Sequence, residues 1–207
     1  MARTPSADVR RALADAAVRV LEREGTAGLT VRAVATEADV APMGVYNHFA
    51  GKGGLVIAVL QRGFDHLTAA VTPSSGGSAD ERFLESGRGY RRFALGAPRT
   101  YELMFATPHR GVDLDELAPH SVAAFQALVD VVVEGQAAGT VRPGDPHALA
   151  RQTWATVHGA VSLELIEADA AGYEAGLADT AYEDVLAMIT RGVAPDPVSA
   201  PGDDAPS

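Results

Sequence analysis

Cysteine is absent from this chain, and lysine occurs once. The first absence excludes disulfides, thiol nucleophiles and thiolate metal sites, and leads to the expectation of a reducing, cytoplasmic setting. The second leaves sixteen arginines to carry almost all the positive charge. Hydrophobic residues make up 47% of the sequence, but charges interrupt them, so no run is expected to span a membrane. A cationic-then-apolar leader is missing at the start, which argues against secretion. Strand-like alternation and internal repeats are not seen. Histidines do not occur at metal-binding spacing. The stretch Ser74-Ser75-Gly76-Gly77-Ser78 has no lysine to make it a phosphate loop. With no nucleophile placed beside a base, neither catalytic residues nor a cofactor are expected.

Helical periodicity is what the chain does have. Residues 1–7 should fray. A first helix of about 8–24 puts Val9, Leu13, Ala16, Val20 and Leu21 on one face and ends at Gly25. The segment from Thr30 to Lys52, TVRAVATEADVAPMGVYNHFAGK, then reads as two short helices around a tight turn. Thr30 is a good N-cap, and Leu29 and Val34 have the spacing of a hydrophobic staple. Asp39 tolerates the left-handed backbone of a turn, and Pro42 suits the first turn of the next helix. That helix, from Pro42 to about Phe49, would expose Met43, Gly44, Tyr46, Asn47 and His48. A helix-turn-helix places such a second helix in the DNA major groove.

Lys52 breaks a local rule. A cation at a helix start opposes the dipole by about 0.3–1 kcal/mol, and Gly53 and Gly54 each cost about 1 kcal/mol relative to alanine. Free amides, a cation and glycines together suit a phosphate. The alternative is a solvated lysine after a glycine turn. Charge distribution is compatible with a small DNA footprint. Net charge is −10, yet residues 1–60 carry seven basic and six acidic side chains, against ten and twenty-one in the remainder.

The run Gly44-Val45-Tyr46-Asn47-His48-Phe49-Ala50-Gly51-Lys52 resembles the recognition helix and following helix start of the TetR family of bacterial transcription regulators. The resemblance covers about residues 8–68 in layout, and its Tyr-x-His-Phe-x-x-Lys core is far more specific than a generic helix-turn-helix pattern. Two positions depart from the family. Asp39-Val40-Ala41 stands where Gly-Val-Ser is usual, so the recognition helix lacks its hydroxyl cap, and Gly53 stands where an acid is usual. The resemblance implies an all-α fold with an N-terminal three-helix DNA-binding domain at 8–68, its helix-turn-helix at about 30–49. Pro42 would open the recognition helix. Thr30, Tyr46, His48 and Lys52 would anchor phosphates, while Met43, Gly44 and Asn47 would face base edges.

Beyond that head, a helix from Lys52 to about Ala70 leads to a loop at 72–79. Further helices follow at about 81–95, 99–106, 114–138, 147–169 and 178–190, and a proline-rich acidic tail at 192–207 should be disordered. The resemblance implies that 80–191 is a ligand-binding and dimerisation domain. The 147–169 helix is apolar around much of its circumference and must be covered on more than one side. The implied cover is a second subunit, through 147–169 and 178–190; the alternative is an ordinary buried central helix. Trp154-Ala155-Thr156-Val157-His158-Gly159 resembles a Trp-His-Gly signature in one subgroup of TetR-like C-terminal domains. Trp154 and His158 share a helix face; they are either pocket residues, His158 supplying a polar contact, or a core tryptophan with a histidine satisfied by a neighbouring carbonyl, or an interface pair. Tyr90, Phe93, Tyr101, Met104, Phe105 and Phe125 are further ligand-contact candidates at spacings that equally suit a core.

The sequence thus leads to the expectation of a cytoplasmic, homodimeric regulator, a repressor by family habit. It would bind a palindromic operator in double-stranded DNA and be released by a small apolar effector. The alternative is a small-molecule binding protein that has lost DNA binding.

Overall fold

The computed structural model describes residues 6–105, 114–168 and 175–196, and these residues form nine helices and no strand. The first three are α1 (Ser6–Gly28), α2 (Val31–Glu37) and α3 (Pro42–Tyr46). Regular α1 stops where expected: Gly25 takes φ 72°, a left-handed conformation that costs glycine nothing, and a last turn carries on to Gly28. Thr30 caps α2, its hydroxyl accepting from the Ala33 amide at 3.1 Å. Leu29 and Val34 are both fully buried beneath that cap. Asp39 makes the turn at φ 52°, the one non-glycine residue with positive φ among those described.

The recognition helix is shorter than its periodicity suggests. It closes at Tyr46, and Asn47 and His48 fall in turns whose amides reach back to Met43, Val45 and each other's neighbours, with His48 N–H donating to the Val45 carbonyl at 3.0 Å. Ala41 offers no side-chain cap at its start, the consequence anticipated from the missing hydroxyl.

Helix α4 (Gly51–Val71) carries the chain from head to body, followed by α5 (Ala79–Gly96), α6 (Pro98–Phe105), α7 (Leu114–Ala138), α8 (Pro146–Ala168) and α9 (Ala175–Val193). The glycine-serine loop ends in a capping box between Ser78 and Glu81, so α5 begins two residues earlier than its apolar pattern indicates. Arg82 pins that loop by donating to the Gly77 carbonyl at 2.6 Å while pairing with Glu134 on α7. Asp145 opens α8 by accepting from the His147 amide at 3.0 Å, with Pro146 at the first position. The tail expected to be disordered lies outside the described residues from 197 onward. Before it, α9 continues to Val193, whose carbonyl accepts from the Arg142 amide at 2.7 Å.

Two hydrophobic cores result. The head core joins Leu13, Ala17, Val20 and Leu21 of α1 to Val34, Val45 and Phe49, with Leu55 and Val59 from α4. The body core begins one residue later, at Leu60, and takes Phe64, Leu67 and Val71 from the same helix. Val56 and Leu103 pack against both. A second join lies between α1 and α6. Glu22 accepts from the Arg99 and Thr100 amides at 3.2 and 2.7 Å and from the Thr100 hydroxyl at 2.5 Å. A head carboxylate therefore caps a body helix whose own preceding residue, Ala97, has no side-chain oxygen.

Helix α7 corrects one expectation. By length and composition alone it is apolar enough to cross a bilayer. Within the fold it packs against α4, α5 and α8.

Gly89 of α5 is buried against the end of α4. A β-carbon there would overlap the Ala70 carbonyl oxygen. Backbone cannot yield as a flexible side chain can, so Gly89→Ala should destabilise the fold by about 1–3 kcal/mol or more. Urea unfolding followed by circular dichroism will measure it, and an unchanged midpoint would show that the helices can part.

Candidate nucleic-acid interface and buried cavity

Three features arrange the recognition segment. Val45 and Phe49 are buried in the head core and fix which face of α3 points inward. Met43 and Tyr46 are left on the outer face, 67% and 56% exposed, beside exposed Pro42 and Asn47. Thr30, at the start of α2, is exposed as well. Gly44 and His48 are half-buried. A large thioether and a phenol held in water by a buried valine between them are unusual unless something covers them.

Lys52 is exposed at the start of α4 and donates from Nζ to the Thr26 carbonyl at 2.9 Å. This ties α4 to the last turn of α1, a role the sequence reading did not contain. An ammonium has three donors, so two remain for another acceptor. The neighbouring glycines divide in purpose. Gly54 is tightly placed, since a β-carbon there would stand 3.3 Å from the Phe49 backbone and its neighbour would have to give slightly, whereas Gly53 faces open space. Gly51 begins α4 at φ 66°. Arg10 is a basic residue that motif reading missed. Its guanidinium lies 4.7 Å from the Phe49 ring centroid and donates to the His48 carbonyl at 2.6 Å.

Behind the head, the body encloses a cavity of about 230 Å³. Its wall draws on α4 through α9 and is overwhelmingly apolar. Of the predicted ligand residues, Tyr90, Phe105, Phe125 and Trp154 line it. Phe93, Tyr101, Met104 and His158 are not in its wall. Phe93, Tyr101 and Met104 are buried, and Met104 packs against α4, where a side chain on Gly63 would meet its sulfur. Sequence reasoning missed the contributions of Phe64, Leu67 and Val71 from α4, Phe83 from α5, and Leu186 and Ile189 from α9. Core periodicity was their only signal, and a cavity wall has the same periodicity as a filled core.

His158 lies behind the wall in a polar cluster. Its Nδ1 is 2.7 Å from the Tyr101 hydroxyl and 2.9 Å from that of Tyr90. The Trp154 Nε1–H donates to the Tyr90 oxygen at 3.3 Å, and Ser162 is 3.3 Å from Tyr101. One set of directions satisfies the chain: Trp154 donates to Tyr90, Tyr90 to Tyr101, and Tyr101 to an unprotonated Nδ1. Burial lowers the His158 pKa below its ordinary value and raises those of both tyrosines, so all three groups are neutral at pH 7. Of the readings open for Trp154 and His158, the tryptophan is a wall residue and the histidine is held by tyrosine hydroxyls rather than a carbonyl.

Set against known proteins, residues 13–59 match the family described as bacterial regulatory proteins, tetR family, and residues 83–189 match the tetracyclin repressor-like C-terminal domain. The chain belongs to the TetR family of transcription regulators. An HTH-type transcriptional regulator of Mycobacterium tuberculosis, Rv0681, is 27% identical over 157 residues, 75% of this chain and 70% of that protein. Another from Bacillus subtilis, YobS, is 29% identical over 104 residues, 48% of this chain; the match spans 53% of that relative's length. A solved structure from Rhodococcus sp. RHA1, of a protein described as having unknown function, is 30% identical with a TM-score of 0.72, covering 90% of this chain and 95% of that one.

The neutral His158 has a consequence for stability. Its folded pKa lies below the unfolded value of about 6.5. The unfolded chain therefore takes up a proton first as pH falls, and stability is lost from about pH 6.5 downward until the folded histidine titrates too. Melting temperature measured between pH 7.5 and 5.5 should fall, and His158→Gln should fall less steeply over that window. Equal slopes would place the acid sensitivity elsewhere.

Proposed function

We propose that this chain is a ligand-responsive repressor that binds a palindromic operator in double-stranded DNA as a homodimer and is released by a small apolar effector. The observation that carries the reading is the outer face of α3, where Met43, Tyr46 and Asn47 stand exposed around buried Val45. The head, 8–68, reads DNA; the body, 80–191, binds the effector and dimerises. Met43, Gly44 and Asn47 face base edges, Asn47 suited to adenine and Met43 to a thymine methyl. Pro42 sets the start of that helix. Thr30, Tyr46, His48 and Lys52 hold phosphates. The protein works in the cytoplasm, where it finds its operator.

Dimerisation through 147–169 and 178–190 is supported by what those helices leave uncovered. Leu163 and Ile166 of α8 and Met188 of α9 are more than half exposed. Nothing within the subunit abuts Gly159, so a second helix could approach closely there. Exposed large apolar side chains on these two helices are what an interface would cover.

Release would use the two joins between head and body. Phe64, Leu67 and Val71 place α4 in the cavity wall, and Phe105 places α6 there. The first of these helices continues into the head core, and the second is capped by Glu22 from α1. An occupant that prefers the spacing of the released state would tilt both. One that binds both states equally would shift nothing, however tightly it binds.

A gel shift against DNA flanking the protein's own gene separates this reading from a small-molecule binder that has lost DNA, since the latter gives no specific complex. On a bound operator, Lys52→Ala should reduce the slope of log affinity against log salt by about 1. An unchanged slope would assign Lys52 to Thr26 alone. Asn47→Ala should instead cost about 1–3 kcal/mol of discrimination at a single base position, and uniform loss across sequences would contradict its base-reading role.

A further inference from the structure

The cavity wall carries a charge that an apolar effector does not explain. Among its described residues Arg151, on α8, is the one charged side chain, and no carboxylate lines the space. This holds in a chain with 27 acidic residues and a net charge of −10. Arg19, Arg23, Arg62, Arg82, Arg88, Arg91 and Arg92 are all in ion pairs. Arg151 is not among them, and within the described residues its recorded contact is with the Phe125 ring, 5.6 Å from the guanidinium to the centroid. The residue is exposed while belonging to the wall, with its guanidinium near the aromatic lining at Phe125.

A second wall residue is also unmatched. Thr153 is buried, 6% exposed, and its hydroxyl has no hydrogen-bond partner in the structure. A helical threonine ordinarily returns its hydroxyl to a carbonyl one turn back, and an unpaired buried hydroxyl is costly. Two donors, one cationic and one neutral, thus lie within three residues of each other in a wall that is otherwise almost wholly apolar.

Resting on the reading of this cavity as the effector site, we propose that the effector is an amphipathic carboxylate. Its apolar body fills the cavity and its anionic head meets Arg151. A carboxylate has about four acceptor sites, more than one guanidinium fills. The exposed position of Arg151 keeps the anion partly hydrated, which avoids most of the penalty of burying an ion pair. A cationic ligand would be repelled there, and a purely apolar one would leave Arg151 unmatched.

Trp154 is the only tryptophan and forms part of the wall, so its fluorescence reports occupancy directly. Octanoate, 1-octanol and octylammonium share one apolar body and differ in head charge. Titrated into the full-length protein, octanoate should bind about tenfold tighter than octanol, the size of one hydrogen bond to a charged group. Octylammonium should bind weakest. Arg151→Gln should bring octanoate and octanol to within about twofold of each other, while Arg151→Lys keeps most of the preference. Equal binding of octanoate and octanol to the wild type, a preference for octylammonium, or an octanoate affinity untouched by Arg151→Gln would each overturn the carboxylate assignment and leave the effector cavity standing. If none of the three perturbs Trp154, the cavity is not an effector site and the assignment falls with it.

Discussion

The structure depends on one helix being buried twice. Leu55 and Val59 of α4 complete the core of the head, and Leu60, Phe64, Leu67 and Val71 complete that of the body. Full burial of each such side chain contributes about 1.5–3 kcal/mol, so neither half can release α4 cheaply. Polar ties reinforce the same helix along its length: Lys52 to the Thr26 carbonyl, Arg62 to Asp15 at 2.7 Å, and Asp65 to His120 at 2.6 Å. These reach α1 on one side and α7 on the other. Packed interiors respond to strain by switching arrangement rather than by yielding gradually. A helix shared by two such interiors passes a displacement from one to the other.

The cavity lies where this sharing has consequences. Its α4 wall begins at Phe64, just after the junction of the two cores, and its α6 wall is Phe105, at the far end of the helix Glu22 caps. The polar cluster behind it joins buried Tyr90 and Tyr101 to half-buried His158, all three neutral at pH 7. Such a cluster fixes the positions of α5, α6 and α8 relative to one another, because breaking any link leaves a costly unpaired group. The wall is therefore braced across α5, α6 and α8, and connected to the head through α4 and, by way of Glu22, α6.

Much of the head was legible in the sequence because its signals are local. The Thr30 cap, the Leu29–Val34 staple, the Asp39 turn and Pro42 each act within a few residues and appear in the structure as expected. The family follows from the Tyr46–Lys52 run for the same reason. The length of α3 was over-read, since Phe49 continues the apolar spacing while Asn47 and His48 already turn the chain toward Gly51. Contacts across many residues left no trace: Glu22 at α6, Lys52 at Thr26 and Arg10 at His48 join positions 26 to 78 residues apart. The cavity was half legible. Tyr90, Phe105, Phe125 and Trp154 stood out as large aromatics, but nothing in a pattern of apolar residues says which ones face a void.

The borrowed cap on α6 bears on how such a protein can be re-engineered. A chimera that grafts a foreign DNA reader onto this body would bring its own first helix, and with it whatever residue falls opposite the amides of Arg99 and Thr100. Unless that residue is an acid of the reach of Glu22, the Arg99 and Thr100 amides lose their acceptor and the join between head and body loses one of its two ties.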